Sequence, residues 1–449
     1  MRVLNWATLT RSERAAALSR PVLQSRTDTR DAVTGILQAV RNEGDRALLR
    51  LTEEFDHVSL KALVVTAEEY RLANNLLSAS QTSALCRAID NVRRFHQAQH
   101  TPTVQVETEP GIRCGQLYSS IARVGLYVPS GSAPLPSALI MTAVLAQIAG
   151  CSQRVLCTPP RPDGSVHPAI LLVAQMCGID TVFKVGGAQA IAALAYGTDS
   201  IPKVDKIFGP GNSYVTAAKQ QVAQDLNGVS CDLPAGPSEV LVIADSSARP
   251  DFIAADLLAQ LEHDALSQGI LVTPSPQLAR DVASELAMQA PPLSRRGILA
   301  QSLTHCRCIL VPDLEDAFEV SNVYSPEHLI LHVEEPRSWL TRVRSAGSVF
   351  LGPWTPEALG DYCSGTNHVL PTYGYARSVS GLTLRDFQRV ISVQEATPEG
   401  LRALGPVAVT LAELETLDGH ARSVQRRLAA LPKCSEAAVP VGPEARVGT

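Results

Sequence analysis

The sequence predicts an α/β protein built from two parallel-sheet domains. Strand and helix patterns alternate four times between Ile121 and Leu226, and a second alternating series runs from Glu239 to about residue 351. The apolar share is 45%, mostly Ala, Leu, Val and Ile, with only 4% aromatic residues. Such a mix suits helices layered on sheets.

The elements read in order as follows. Residues 1–24 form a polar, Arg-bearing segment of helical character, expected to pack on a neighbour rather than on the chain's own core. Residues 29–100 carry Ala, Leu, Glu and Arg at helical spacing. From Ile121, IARVGLYV, RVLCTP, TVFKV and KIFG read as strands. Each is followed by a helix: PSALIMTAVLAQIAG, HPAILLVAQMCG, AQAIAALAYG and SYVTAAKQQVAQDL. In the second series EVLVIAD, GILVTP and CRCILVP are strands, separated by the helices DFIAADLLAQLEHDAL and QLARDVASELAMQ. LILHV and SVFLG are further strands, and a helical segment is expected from about 385 to 432. The tail 433–449 has too little apolar surface to offset its ordering entropy.

Composition excludes several classes. Lys and Arg number 39 against 44 Asp and Glu, a net charge of −5. No basic excess is present to attract nucleic acid or an anionic membrane. The amino terminus lacks the apolar core of a secretory signal. The longest apolar stretch, Leu135 to Gly150, is interrupted by Pro136, Thr142 and Gln147 and falls short of the roughly 18 residues of a membrane span. Ten scattered cysteines without a Cys-x-x-Cys pair read as free thiols. A cytoplasmic protein acting on small molecules is expected.

Three strands of the first series end in glycine-bearing loops: YVPSGSAP (127–134), KVGGAQA (184–190) and FGPGNSY (208–214). Open parallel sheets bind ligands at the carboxyl ends of their strands, where glycine permits close backbone approach and helix N-termini favour anions. One such loop is ordinary turn chemistry; three in one sheet point to a phosphate-bearing ligand. Neither G-x-G-x-x-G nor a P-loop signature occurs, so the expected domains are Rossmann-like without the usual dinucleotide fingerprint.

A second set of residues has metal chemistry. Pro250 to Ser267 reads as an amphipathic helix on which Gln260 and His263, three apart, point the same way. TPEALGDY (355–362) reads as a short helix stopping at Gly360, with Asp361 on the turn beyond. Thr410 and Glu413 read as a capping box for the last helix. Glu415 and His420 lie about 140° apart on a helix, so they share a face only if the helix breaks near Gly419 or one points to another subunit. His, Asp and an amide oxygen together suit Zn²⁺ or a similar ion, although each alone also reads as a satisfied surface group. In SPEH (325–328) the Ser-Pro-Glu order reads as helix N-cap chemistry, and Glu327 beside His328 as a pair able to activate water and move protons.

The combination is more specific than its parts. RVGLYVPSGSAPLPS, KVGGAQAIAALAYGT, KIFGPGNSYVTAAK, DLPAGPSEVLVIAD, AADLLAQLEHD, SPEHL, GSVFLGPWTPEALGDY, SGTNHVLPT and ELETLDGHA occur in one order. Together they resemble the histidinol dehydrogenase family over roughly residues 25–425. The resemblance implies a homodimer with active sites shared between subunits, one Zn²⁺ per subunit, and NAD-dependent oxidation of L-histidinol through L-histidinal to L-histidine, the last step of histidine biosynthesis. By motif, Gln260, His263, Asp361 and His420 would ligate zinc, the last from the partner. Glu327 and His328 would be the catalytic pair. Ser238, His368 and Glu415 would contact substrate, together with Gln260, His263, His328, Asp361 and His420. Tyr127, Gln189 and Asn212 would contact NAD. The domains implied are 25–120 with 238–381, carrying the catalytic and metal residues, and 121–237 on the NAD side. Segments 1–24 and 382–432 would pack on the partner subunit. Ser130, Cys231 and Thr366 depart from the usual Gly, aliphatic residue and Pro of the family.

In the implied mechanism His328 takes the hydroxyl proton as hydride leaves, and Glu327 activates water against the aldehyde. A cysteine thiohemiacetal is the rival for the second half, but no cysteine lies in a motif next to a base. Competing functions are oxidation of another amino alcohol or polar diol by the same machinery, a zinc hydrolase, which leaves the three strand-end loops without purpose, and an inactive binding protein.

Overall fold

The computed structural model describes residues 1–21, 26–130, 134–179, 181–233 and 236–432. The tail 433–449 and residues 131–133 of the first glycine loop lie outside these. In chain order the strands are β1 (Arg2–Asn5), β2 (Gln105–Glu109), β3 (Ile112–Ser120), β4 (Arg123–Tyr127), β5 (Gln153–Thr158), β6 (Thr181–Lys184), β7 (Lys206–Phe208), β8 (Ser230–Cys231), β9 (Glu239–Ala244), β10 (Gln268–Thr273), β11 (Arg307–Leu310), β12 (His328–His332), β13 (Ser348–Leu351) and β14 (Gln388–Ala396). They fall into two compact units, one of Met1–His100 with Ser120–Arg389, the other of Thr101–Ser119 with the chain from Val390 on.

The first unit holds both parallel sheets. One runs β6-β5-β4-β7-β8, the other β1-β11-β10-β9-β12-β13. The first has the 3-2-1-4-5 order of a doubly wound sheet, and the second repeats it with β1 added at the edge. The expected mixed α/β architecture is therefore present. Strands β9, β10 and β12 are buried along their whole length, because helices cover both faces and leave no solvent side to demand alternation. In the six-stranded sheet the helices Pro250–Leu261 and Pro276–Gln289 pack one face, and Leu314–Tyr324 packs the other.

Two groupings read from the sequence differ from the structure. The helices between 26 and 97 do not join the sheet of residues 239–351. Val33, Leu37, Val40, Leu48 and Leu51 pack against the Ala-rich helix Gly187–Tyr196, and Ala88, Ile89 and Val92 join the opposite face of the same five-stranded sheet. Small side chains on 187–196 let those helices approach closely. The amino-terminal segment does contain a helix, Arg11–Ala17, but its first residues are β1, paired in parallel with β11, and Leu18 enters the core beside Phe318. It packs on its own chain.

The second unit comprises the sheet β14-β3-β2, with β2 and β3 antiparallel, and the helices Pro398–Leu414 and Asp418–Ala430. The helical expectation from 385 fails over Gln388–Ala396, a strand exposed along nearly all its length. Thr410 and Glu413 cap nothing: both lie inside the 398–414 helix, where the Thr410 hydroxyl donates to the Pro406 carbonyl at 3.0 Å, and the last helix starts after Leu417. Among the described residues no helix is long and apolar enough to cross a membrane.

Candidate active site

The site forms at the amino ends of β9 and β12, and its order follows from how the chain enters β12. The helix Leu314–Tyr324 ends at Ser325, which adopts the left-handed conformation (φ 57°) and donates its N–H to Ser321 O at 2.7 Å. Pro326 cannot continue a helix. SPEH is thus a helix C-cap leading into a strand, not the expected N-cap. The Glu327 carbonyl accepts Ser348 N–H at 2.9 Å, and a Cβ at Gly347 would lie only 2.6 Å from that carbonyl oxygen.

Glu327 and His328 point into the interior, at 7% and 4% exposure. Glu327 Oε2 accepts the Glu239 N–H at 2.9 Å. Burial pushes its carboxyl up to about 8, against the pull of His328. The His328 Nδ1 lies 3.0 Å from Gln260 Nε2, 3.2 Å from the Glu239 carbonyl, 3.6 Å from Glu327 Oε2 and 3.8 Å from Glu357 Oε1. Its Nε2 is 3.5 Å from Asp361 Oδ1. Burial opposes an imidazolium here, but Glu357, Glu327 and Asp361 outweigh it and raise His328 well above an ordinary histidine. The Gln260 Nε2 can only donate, so its contact is a hydrogen bond only while Nδ1 lacks its hydrogen; for Nε2 to accept a proton, Nδ1 must carry the hydrogen, donate it to the Glu239 carbonyl and give up the Gln260 contact.

The helix Pro250–Leu261 brings Gln260, fully buried, to His328, and its Oε1 has no partner. The helix is shorter than expected, so His263 lies just past its end, held by its N–H to Gln260 O at 3.2 Å. His263 is open to solvent, yet the protein around it desolvates the ring enough to lower its pKa, with Asp361 pulling the other way. Asp361 is not on a turn. It sits within the helix Glu357–Tyr362, because Gly360 is a packing spacer rather than a stop: a Cβ there would meet the Phe350 ring at 2.6 Å. Desolvation opposes the Asp361 carboxylate, but His328, His368 and His263 hold its pKa below the usual value. His368 Nδ1 donates to the Asp361 carbonyl at 2.6 Å, which leaves His368 Nε2 as the free nitrogen.

Glu357 was not singled out in the sequence. It is 2% exposed, Oε2 has no partner, and burial among neighbouring carboxylates raises it well above a normal glutamate. Its signal was available, since Glu357 and Asp361 are four apart on one helix and share a face. Ligand atoms of His328, Glu357 and Asp361 lie within 4.8 Å of one another. Asp361 of this group and the buried, unpartnered oxygen of Gln260, whose amide touches His328, are donors that suit a divalent ion such as Zn²⁺.

Ser238 lies in the loop entering β9 and gives its carbonyl to Gln268 N–H at 3.1 Å. Glu415 and His420 belong to the second unit, where Glu415 caps the end of 398–414 and His420 is in the first turn of 418–430, both exposed. None of the described cysteines joins the His328 group.

Tyr127, the last residue of β4, and Gln189 and Asn212, which follow β6 and β7, fall at the carboxyl ends of the five-stranded sheet. β4 and β7 are neighbours whose connections diverge, the point where such sheets bind ligands. The Tyr127 hydroxyl accepts Gly187 N–H at 3.1 Å, and burial pushes it up to about 12. Gln189 is buried, and Asn212 Oδ1 caps the next helix by accepting Tyr214 and Val215 N–H, each at 3.1 Å. A Cβ at Gly209 (φ 126°) would fall 1.9 Å from the Tyr127 carbonyl oxygen, so that loop requires glycine.

Two doubly wound sheets, a buried imidazole among three carboxylates and glycine-tight strand-end loops define an α/β enzyme. The chain belongs to the histidinol dehydrogenase family, a family of oxidoreductases, whose model matches residues 19–428. It is 53% identical over 428 residues to the histidinol dehydrogenase of Xanthomonas campestris pv. campestris, covering 95% of this chain and 99% of that one. It is 52% identical over 432 residues to the Xylella fastidiosa protein of the same name, covering 96% and 100%. The crystal structure of histidinol dehydrogenase from Elizabethkingia anophelis is similar at a TM-score of 0.92 and 42% identity, covering 96% of this chain and 98% of that one.

Proposed function

We propose that this chain oxidises L-histidinol through L-histidinal to L-histidine with NAD, as the last step of histidine biosynthesis in the cytoplasm. The observation that carries the reading is the buried His328, flanked by Glu327 and touching the amide nitrogen of Gln260, whose oxygen has no partner, in a chain of this family. Zn²⁺ held by Gln260, His263, Asp361 and His420 of the partner subunit supplies an anchor for the substrate's nitrogens, a mainly orienting role. NAD bound near Tyr127, Gln189 and Asn212 supplies the hydride acceptor for both oxidations. Ser238, His368 and Glu415 contact the substrate. A homodimer with shared sites accounts for Glu415 and His420, which stand apart from the His328 group in sequence and in unit.

His328 Nε2 takes the hydroxyl proton in the first oxidation while Nδ1–H stays on the Glu239 carbonyl. Glu327, oriented by the Glu239 N–H, then removes a proton from water as the oxygen adds to the aldehyde. The resulting gem-diolate anion loses the second hydride as its C=O bond forms, giving the acid. A desolvated, oriented carboxylate is suited to that task.

NADH formation from L-histidinol, before and after chelation and zinc restoration, tests the reading. Two NADH per histidinol, lost with chelator and restored by Zn²⁺, are expected. A protein that turns over another amino alcohol but not histidinol would redirect the substrate while leaving the family assignment intact.

A further inference from the structure

Strand β12 places His328, Ile330 and His332 on one face, because side chains alternate along a strand. That face meets the helix Pro250–Leu261: Ile330 packs in the same core as Ile253, Leu257 and Leu261. Two polar contacts flank this apolar layer. His328 Nδ1 lies 3.0 Å from Gln260 Nε2, and His332 Nε2 donates to Asp256 Oδ2 at 3.1 Å. Asp256 and Gln260 are one helical turn apart on the helix, as His328 and His332 are two pleats apart on the strand. All four residues are buried, at 4%, 0%, 3% and 7% exposure for His328, Gln260, His332 and Asp256. The proposed reaction uses His328 and Gln260 and has no role for His332 and Asp256.

A buried carboxylate and imidazole are poor stabilisers. Replacing such a pair with apolar side chains is often neutral or stabilising, and Leu or Val would suit this core. What the pair adds is direction. Apolar contacts between helix and sheet are non-directional and permit small slides, whereas a charge-assisted N–H···O bond fixes distance and angle. The strand is already locked: His328 pairs with Val240 and Ser348, and His332 with Ala244. The helix is held to this strand by the apolar layer and the two polar contacts, and it carries Gln260.

We propose that Asp256 and His332 are a positioning pair that fixes the 250–261 helix on β12, so that Gln260 presents its oxygen for metal binding. Zinc affinity then depends on two residues that are not ligands. The inference rests on the reading of Gln260 as a ligand.

The test is zinc affinity of the full-length chain, stripped and titrated with Zn²⁺ against a chromophoric chelator. Asp256→Ala is expected to weaken binding about 10–100-fold, the usual effect of losing a residue that orients a ligand. Asp256→Asn loses the charge but keeps the acceptor, and is expected to stay within about threefold of the parent. This separates position from simple attraction between Asp256 and the ion. The double replacement Asp256→Leu with His332→Leu is expected to fold yet bind as weakly as Asp256→Ala. Val320→Ala, which opens a cavity in the core on the opposite face of the same sheet, controls for general destabilisation and is expected to leave affinity unchanged. Parent-like binding by Asp256→Ala overturns the proposal, as does equal weakening by Val320→Ala or by Asp256→Asn. A parent chain that binds no zinc overturns the metal reading itself, and this proposal with it.

Discussion

Arg20 grips Glu239 through two hydrogen bonds, Nε to Oε1 at 2.8 Å and Nη2 to Oε2 at 2.6 Å. Glu239 is also the residue whose N–H holds Glu327 and whose carbonyl faces His328. The Arg20 guanidinium stacks on the Tyr324 ring at 4.0 Å and donates to the Tyr324 carbonyl at 2.9 Å. One ion pair therefore ties the amino-terminal segment to the backbone that orients both catalytic side chains. Arg20→Met leaves a buried carboxylate uncompensated. A loss of about 3–5 kcal/mol in denaturant unfolding is expected, with a fall in kcat larger than the rise in KM.

Glu357→Gln removes a carboxylate 3.8 Å from His328 Nδ1 while keeping the shape of the side chain. At an effective dielectric near 20, such a pair interacts by at most about 4 kcal/mol. A fall in kcat of about ten- to a hundredfold is expected, with far-ultraviolet dichroism unchanged. Retention of full kcat would show that this carboxylate is a bystander.

Glu69 provides a pH test outside the site. Burial acts to raise it, but the Thr66 backbone and hydroxyl and the Lys184 ammonium, at 3.2 Å, outweigh that and lower it from 4.5. A depressed folded pKa contributes stability that is fully present above the unfolded value and is lost as pH falls through the folded one. Urea midpoints of the parent and Glu69→Gln are therefore expected to differ at pH 7 and to converge as pH drops below the normal carboxylate range. A gap that persists or widens in acid contradicts this.

Gly209→Ala tests the strand-end loops. The added methyl meets the Tyr127 carbonyl oxygen in a backbone conformation unfavourable to L side chains. Weaker NAD binding by calorimetry is expected, with histidinol affinity little changed. Loss of both would place the two ligands on a common loop system.

Much of this was legible because the decisive elements are buried on both faces. EVLVIA and HLILH carry short aliphatic runs of strand length bounded by turns, the pattern of strands buried on both faces of a parallel sheet. Gln260 and His263 are three apart, and the helix ends between them at Leu261, so their relation rests on the turn that follows as well as on helical spacing. Other features depend on distant partners. RVLN is too short to announce β1 and becomes a strand only because β11 waits for it. QRVISVQEA is exposed, so no buried face gave it a clear period. Gly360 looked like a helix stop, since nothing local records that Phe350 needs its space. Glu357 stands in the first turn of its helix, where a glutamate commonly faces solvent, and only the fold shows that it points inward.

The pairing of Arg2 with Arg307 has a consequence for how the chain is made. Strand β1 belongs to the edge of a sheet whose adjoining strand is synthesised roughly three hundred residues later. At about 5–20 residues per second that delay is on the order of 15–60 seconds. The five-stranded sheet can assemble during this interval, but the six-stranded one cannot close. A nascent β1 with an unpaired strand edge is a hazard for wrong pairing, and Arg2 and Asn5 at its ends limit that hazard by keeping the segment polar while it waits.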